Sequence, residues 1–159
     1  VERGVRFVQL FLNGQPWDNH ENIHNALPAI CRRTDQPAAA LVTDLKQRGL
    51  LDSTVVHWGG EIGRLPVVQS RRKPGRDHNP HCFTAWMAGG GVKAGHVHGS
   101  TDELGYFIED GEVHVRDLQA TILHALGFDP HRLHYAYQGL DNRLIGPADW
   151  PRVRHELFA

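Results

Sequence analysis

The chain has 159 residues and balanced charge, 17 Lys and Arg against 18 Asp and Glu for a formal net charge of −1. That is length for one domain, with no basic field pointing to nucleic acid and no acidic tail pointing to a solvating role. No stretch approaches the roughly 18 apolar residues of a membrane span, and no signal peptide opens the sequence.

Residues 5–11, VRFVQLF, are β-branched and aromatic and run into Asn13-Gly14 and Pro16, which predicts a strand followed by a loop. Because the first residue is Val1 and this apolar run starts almost at once, the chain is expected to be a piece of a longer protein. The loop carries WDNHENIH, residues 17–24. Thr34 or Asp35 then caps a predicted helix with Pro37 in its first turn. Ala38, Leu41, Val42 and Leu45 share one face, and Gly49 is the stop.

Asp52-Ser53 turns the chain into TVVHW, residues 54–58, a second strand halted by Gly59-Gly60. Strand, helix, strand at this spacing predicts a right-handed parallel βαβ unit. WDNH and GGEIGR would then meet at the carboxyl edge of the sheet, where open α/β folds bind ligands. Residues 67–80 form a polar loop with Arg71, Arg72 and Lys73, and CFTAWMA, residues 82–88, is a third strand ending in three glycines. GRDHNPH, residues 75–81, precedes that strand, so it reaches the same edge only if the strand runs antiparallel or the loop folds back. After GHVHGSTDELGY comes a second helix, VRDLQATILHALG, with Leu118, Ile122, Ala125 and Leu126 as its stripe and Gly127 as its stop. The last 30 or so residues show no strong period, and there is no internal repeat or low-complexity tract.

Histidine carries the chemical interest. There are 12 in the chain, and imidazole is both the commonest metal ligand and the side chain that titrates near neutrality. Asp18 and His20 sit two apart in a loop, where they can converge on one ion of zinc or manganese type or else cap a turn and face solvent. His24 is a spare candidate with a surface role as the alternative. Glu61 lies between glycines that let the backbone approach an ion or anion. Arg64, three residues on, is either its ion-pair partner or a bidentate clamp for phosphate or sulfate. Asp77, His78 and His81 make the densest patch: His78 is the first choice as ligand, Asp77 is ligand or ring orienter, and His81 packs beside a strand start. His96 and His98 alternate as a strand would require to share a face, with a solvated loop as the alternative. Ser53, Thr84, Ser100 and Thr101 lie in no nucleophile elbow. Cys31 and Cys82 fit no metal or disulfide framework and read as small apolar residues. His114 reads as a helix cap, His124 as a helix-surface residue, and Trp17, Trp58 and Trp86 as core or rim.

WDNH, TDQPAAALVTDLKQRGLLDSTVVHWGGEIGRLP, GRDHNPHCFTAWMAGGGVKAG, STDELGY and VHVRDLQATILHALGFD, in that order, resemble the C-terminal part of the sulfatase-like family called domain of unknown function 1501. That family is similar to the alkaline phosphatase and sulfatase superfamily. The likeness spans residues 5–145 or so and departs from the usual G-E-F-G-R-T-P at Ile62 and Leu65. It implies an α/β fold of three layers, a mostly parallel sheet flanked by helices, of which residues 1–159 would be a single C-terminal segment. It also implies divalent ions at the carboxyl edge of the sheet, zinc first, with manganese or calcium as alternatives. Asp18 and His20 stand where an Asp and a His bind one ion, although the superfamily spacing is commonly Asp-X-X-X-His and position 22 is Asn. Glu61 stands where an Asp, often followed by His, binds a second ion, and Ile62 follows here instead. His78, with Asp77 beside it, stands where a late His completes the first site.

The expectation is therefore the C-terminal part of a metal-dependent phosphate- or sulfate-ester hydrolase with Arg64 as an accessory catalytic clamp. It would be inactive alone, because the superfamily nucleophile belongs to an N-terminal half. The substrate would be a small-molecule or polysaccharide ester. The alternative is a non-catalytic domain that binds a metal or an anionic ligand such as polysaccharide. The resemblance also implies export in a bacterium. All of this hangs on the loops around positions 18, 61 and 78 meeting at one point.

Overall fold

The computed structural model describes residues 1–159. Its longest element, α1, runs from Ile23 to Gln47, 25 residues and roughly 37 Å at 1.5 Å per residue. The helix starts 11 residues before Thr34, and Pro28 and Pro37 lie inside it. The apolar stripe explains the extension: Leu27, Ile30, Thr34, Ala38, Leu41 and Leu45 repeat every three or four residues, and Ile30, Thr34 and Leu45 are buried. Leu27 and Leu41 on the same stripe stay exposed, and each of the two prolines removes one backbone donor from the helix. Thr34 turns inward, its hydroxyl donating to the Ile30 carbonyl at 3.1 Å. The stop comes where the glycine stands: Gly49 has φ 67°, and Leu50 N–H donates to Leu45 O at 2.9 Å.

The strands are short and all antiparallel. β1 (Val56–Trp58) pairs with β4 (Trp86–Ala88), β2 (Gly63–Arg64) with β3 (His78–Asn79), β5 (Ser100–Thr101) with β6 (Ile108–Asp110), and β7 (His134–Tyr137) with β8 (Leu140–Arg143). Each pair is a separate two-stranded sheet. This overturns the expected three-layer α/β fold with its mostly parallel sheet. VRFVQLF forms no ladder, and Val5, Phe7, Val8, Leu10 and Phe11 are all exposed. The segment is attached through Arg6, whose guanidinium donates to Leu126 O and sits over the Phe128 ring. A parallel pair needs two strands hydrogen-bonded side by side. β1 instead takes β4, with Trp58 opposite Trp86, so the βαβ unit does not close.

α2 (Val115–Ala125) carries the best-packed region: Ala120, Leu123 and Ile145 form the buried cluster, with Leu133 and Val153 against it. His114 caps it, its Nδ1 accepting from Arg116 N–H at 3.1 Å, and Gly127 follows its end at φ 85°. The β7–β8 hairpin turns on Gln138 and Gly139, both at positive φ, the backbone a two-residue turn of this hand requires. The C-terminal tail returns to the glycine-rich segment through Lys93 N–H to Leu157 O and Ala159 N–H to Gly91 O, both 2.9 Å.

The core is small. Only 14 of 159 residues are buried, and the accessible surface is 11641 Å², against roughly 8,000 Å² for a compact monomer of this mass. The excess includes large apolar side chains of the N-terminal segment and the Trp58–Trp86 pair. No helix is long and apolar enough to cross a membrane.

Candidate metal centre

The residues singled out around positions 18, 61 and 78 come together, on antiparallel ladders in place of a parallel sheet edge. Arg64 on β2 lies directly opposite His78 on β3, so the antiparallel register carries GGEIGR and GRDHN to one place. Side chains on a strand alternate: His78 points outward and exposed, while Asn79 is 1% exposed. Asn79 anchors the strand by donating to the carbonyls of Gly105 at 3.2 Å and Tyr106 at 3.1 Å. That loop is shaped by Asp102, whose carboxylate accepts from the N–H groups of Leu104, Tyr106 and Phe107.

Two glycines allow the approach. A Cβ at Gly63 would lie 1.9 Å from the Cys82 carbonyl oxygen, and one at Gly75 would lie 1.9 Å from that of His20. Gly63, two residues after Glu61, thus serves close backbone packing. The WDNH loop is docked by Arg76 N–H donating to Asn19 O at 2.9 Å.

Asp18 is the hub. Its Oδ1 accepts from His78 Nε2 at 2.8 Å, and His20 Nε2 lies 3.2 Å and Arg64 Nη2 3.4 Å from it. The ligating atoms of Asp18, His20 and His78 all fall within 4.8 Å of one another. On the far side of His20, Nδ1 is 2.9 Å from Gln69 Oε1. With Nδ1–H donating to that carbonyl, Nε2 is aimed at Asp18; a proton there bonds the carboxylate, and its loss frees the lone pair that a metal ligand needs. Tetrahedral zinc with bonds of about 2.0–2.1 Å spaces its donors about 3.3 Å apart. Two of the three separations, 2.8 and 3.2 Å, are close to that spacing and the third is within 4.8 Å, and one carboxylate with two imidazoles fits a divalent ion of zinc type. His20 belongs to the cluster despite standing two residues from Asp18.

Glu61 and Asp77 sit one step out. Glu61 Oε1 is 3.1 Å from Arg64 Nη2, so it joins Asp18 only through the guanidinium, and its side chain is 73% exposed. Asp77 Oδ1 accepts from the His78 backbone N–H at 2.8 Å and lies 3.8 Å from His20 Nδ1, beyond hydrogen-bond reach, so Gln69 is the group that orients the His20 ring. Gln69, the partner that sets His20, carries no sequence signal of its own. His81 packs on Phe107, with ring centroids 4.6 Å apart. His24 is outside the cluster, and His96 and His98 are 6.1 Å apart by ring centroids in a separate region.

The charges respond to this arrangement. Asp18 is held below the usual carboxylate range by the His78 hydrogen bond foremost and by the cations around it, against burial. His20 is raised, by its bond to Gln69 foremost and by the Asp18 and Asp77 carboxylates. Glu61 is lowered by its own backbone N–H and then by Arg64. Arg64 spends Nη1 on the carbonyls of Ile62 and Gly63 at 3.3 and 3.2 Å. Its Nε is buried and unpartnered. Nη2 is the guanidinium nitrogen turned to the cluster, held by Glu61 at 3.1 Å and Asp18 at 3.4 Å.

Compared with known proteins, residues 1–155 match a family model described as Protein of unknown function (DUF1501). No curated protein and no solved structure matches.

Proposed function

The chain belongs to the DUF1501 family, and from that premise we propose that Asp18, His20 and His78 bind one divalent ion, zinc by donor type, in a centre that handles phosphate or sulfate esters. The observation that carries the proposal is the convergence of a carboxylate and two imidazoles within 4.8 Å from loops 60 residues apart. Asp18 supplies a carboxylate that stays ionised, His20 an Nε2 lone pair oriented by Gln69, and His78 a second imidazole on a strand fixed by Asn79. Arg64 holds an ester oxygen through Nη2, in exchange for its contact with the exposed Glu61 carboxylate. When bound, the ion would polarise the ester oxygen and stabilise the charge that develops there. Kinship with the alkaline phosphatase and sulfatase superfamily is part of this reading, supported by the donor set alone.

The excess of exposed apolar surface supports placing these residues as the C-terminal part of a longer domain. Neither His20 nor His78 bonds to a hydroxyl or thiol; their partners are Gln69, Asp18 and Asp77. The isolated chain is accordingly proposed to lack turnover. Aryl phosphate or aryl sulfate hydrolysis that is abolished by Glu61→Ala or His78→Ala would overturn that point.

The same observation, with Ile62 after Glu61, favours a second reading in which the centre binds a metal or an anionic ligand such as polysaccharide without catalysis. Metal analysis of untagged protein tests what both readings share. One zinc per chain is expected, lost in Asp18→Ala and His78→Ala; protein that stays metal-free in excess zinc would sink both.

A further inference from the structure

A basic loop beside the cluster is unused by the reading above. It leaves β2, returns to β3, and is closed at its base by Gln69 N–H donating to Gly75 O at 3.2 Å. The Gln69 side chain meets His20 there. Its return limb is pinned to the WDNH loop, with Ile23 N–H donating to Pro74 O at 2.9 Å and Gly75 packed under the His20 carbonyl. The tip, with Arg71, Arg72 and Lys73 all exposed, is thereby held beside residues 20–24. Between them opens a polar depression of about 380 Å³ lined by Glu21, Asn22, His24, Arg72 and Lys73.

The charges in this depression do not balance. Lys73 pairs with Glu21 at 3.1 Å, whereas Arg72 in the lining has no carboxylate partner, and neither has Arg71 next to it in the chain. An anion in the depression offsets that surplus of positive charge. The planar fork of Arg72 matches the oxygens of sulfate and phosphate. The lining starts at Glu21, one residue from His20 of the metal cluster.

We propose that this depression is a second anion subsite, in which Arg72 holds a sulfate or phosphate group other than the one at the metal cluster, with Arg71 adding positive charge from the neighbouring position in the loop. The substrate is then a multiply anionic ester. Its relation to a reacting group rests on the metal-ester reading above; the anion binding itself does not. A soluble polyphosphate and a sulfated oligosaccharide share the required chemistry.

Titration calorimetry with zinc-loaded and zinc-free protein tests this, using inorganic phosphate, tripolyphosphate and a sulfated hexasaccharide as probes. The double variant Arg71→Gln/Arg72→Gln changes only exposed side chains, and circular dichroism checks its fold. Binding of tripolyphosphate, the hexasaccharide or both is expected to weaken about tenfold or more, as loss of charged hydrogen bonds implies. Zinc affinity and phosphate binding to the zinc-loaded protein should stay within about twofold of wild type. Loss confined to tripolyphosphate assigns a small soluble polyanion, and loss that includes the hexasaccharide assigns a sulfated carbohydrate. Equal binding by variant and wild type, or no binding of either polyanion by wild type, overturns the subsite. Should zinc fail to bind while the tenfold loss persists, the metal reading falls and the subsite stands.

Discussion

Asp117 and Asp18 each face an arginine in a different region of the molecule, and their two surroundings give the same side chain opposite uses. Asp117 on α2 is 4% exposed. Its Oδ1 accepts from Arg152 N–H at 2.8 Å, and its Oδ2 accepts from Arg154 Nε at 3.0 Å and from Arg154 Nη2. Thr121 next to it donates to the Asp117 carbonyl at 2.7 Å and accepts from Arg154 N–H at 3.0 Å. Asp18 is 23% exposed at its side chain, and its contacts with His78, His20 and Arg64 all fall on Oδ1. Its Oδ2 has no protein partner. A buried carboxylate must have both oxygens satisfied because its desolvation is costly. A half-wet one can keep an oxygen for a ligand. Saturated hydrogen bonding thus marks the structural carboxylate, and incomplete hydrogen bonding the site.

This contrast can be broken by experiment. Asp117→Ala strands Arg154 and should cost about 3–5 kcal/mol, read as a lower midpoint in urea unfolding; a loss below about 1 kcal/mol would contradict the structural role. The same carboxylate sets an acid dependence. Burial raises its pKa, but the Arg152 N–H and the Arg154 ion pair outweigh that and leave it below the ordinary Asp range. A group whose native pKa is depressed contributes stability above its unfolded pKa and loses it as pH falls through the native value. The stability difference between wild type and Asp117→Asn should therefore persist at neutral pH and shrink below about pH 4.

Asp18→Ala should behave oppositely. Stability without metal should change by less than about 1 kcal/mol. The zinc-dependent gain, about 2.7 kcal/mol at a hundredfold excess over Kd, should vanish from the thermal melt. A metal-free loss as large as that of Asp117→Ala would erase the distinction. Gln69→Ala should weaken zinc by roughly tenfold, the effect of removing a ligand's orienting partner; unchanged affinity by competition with a chelator would remove Gln69 from the centre. Smallest is Glu61→Gln, which should shift zinc affinity less than threefold and stability by under about 0.5 kcal/mol. A larger zinc loss would make Glu61 a direct ligand.

How far these regions were legible in the sequence follows from the range of the interactions involved. Gly49 and Gly127 as stops and His114 as a cap were readable because each acts within one turn of its own helix. The stripe from Leu27 to Leu45 is equally present in the sequence, but Pro37 favours a first-turn place and so sets the expected start at Thr34, whereas the structure holds Pro37 inside the helix. VRFVQLF has strand composition, and composition does not provide a partner: with no ladder beside it, it lies exposed.

The sequence by itself determined which residues could do chemistry, the carboxylates and imidazoles of WDNH, GGEIGR and GRDHNPH, since donor type is a property of each side chain. Only the tertiary structure decided that Asp18, His20 and His78 form the inner cluster while Glu61 and Asp77 stand one step out. That choice follows from the antiparallel register of Arg64 with His78 and from the backbone contact of Gly75 with His20. Strand pairing and close packing join residues far apart in the chain, so no local window of residues contains them.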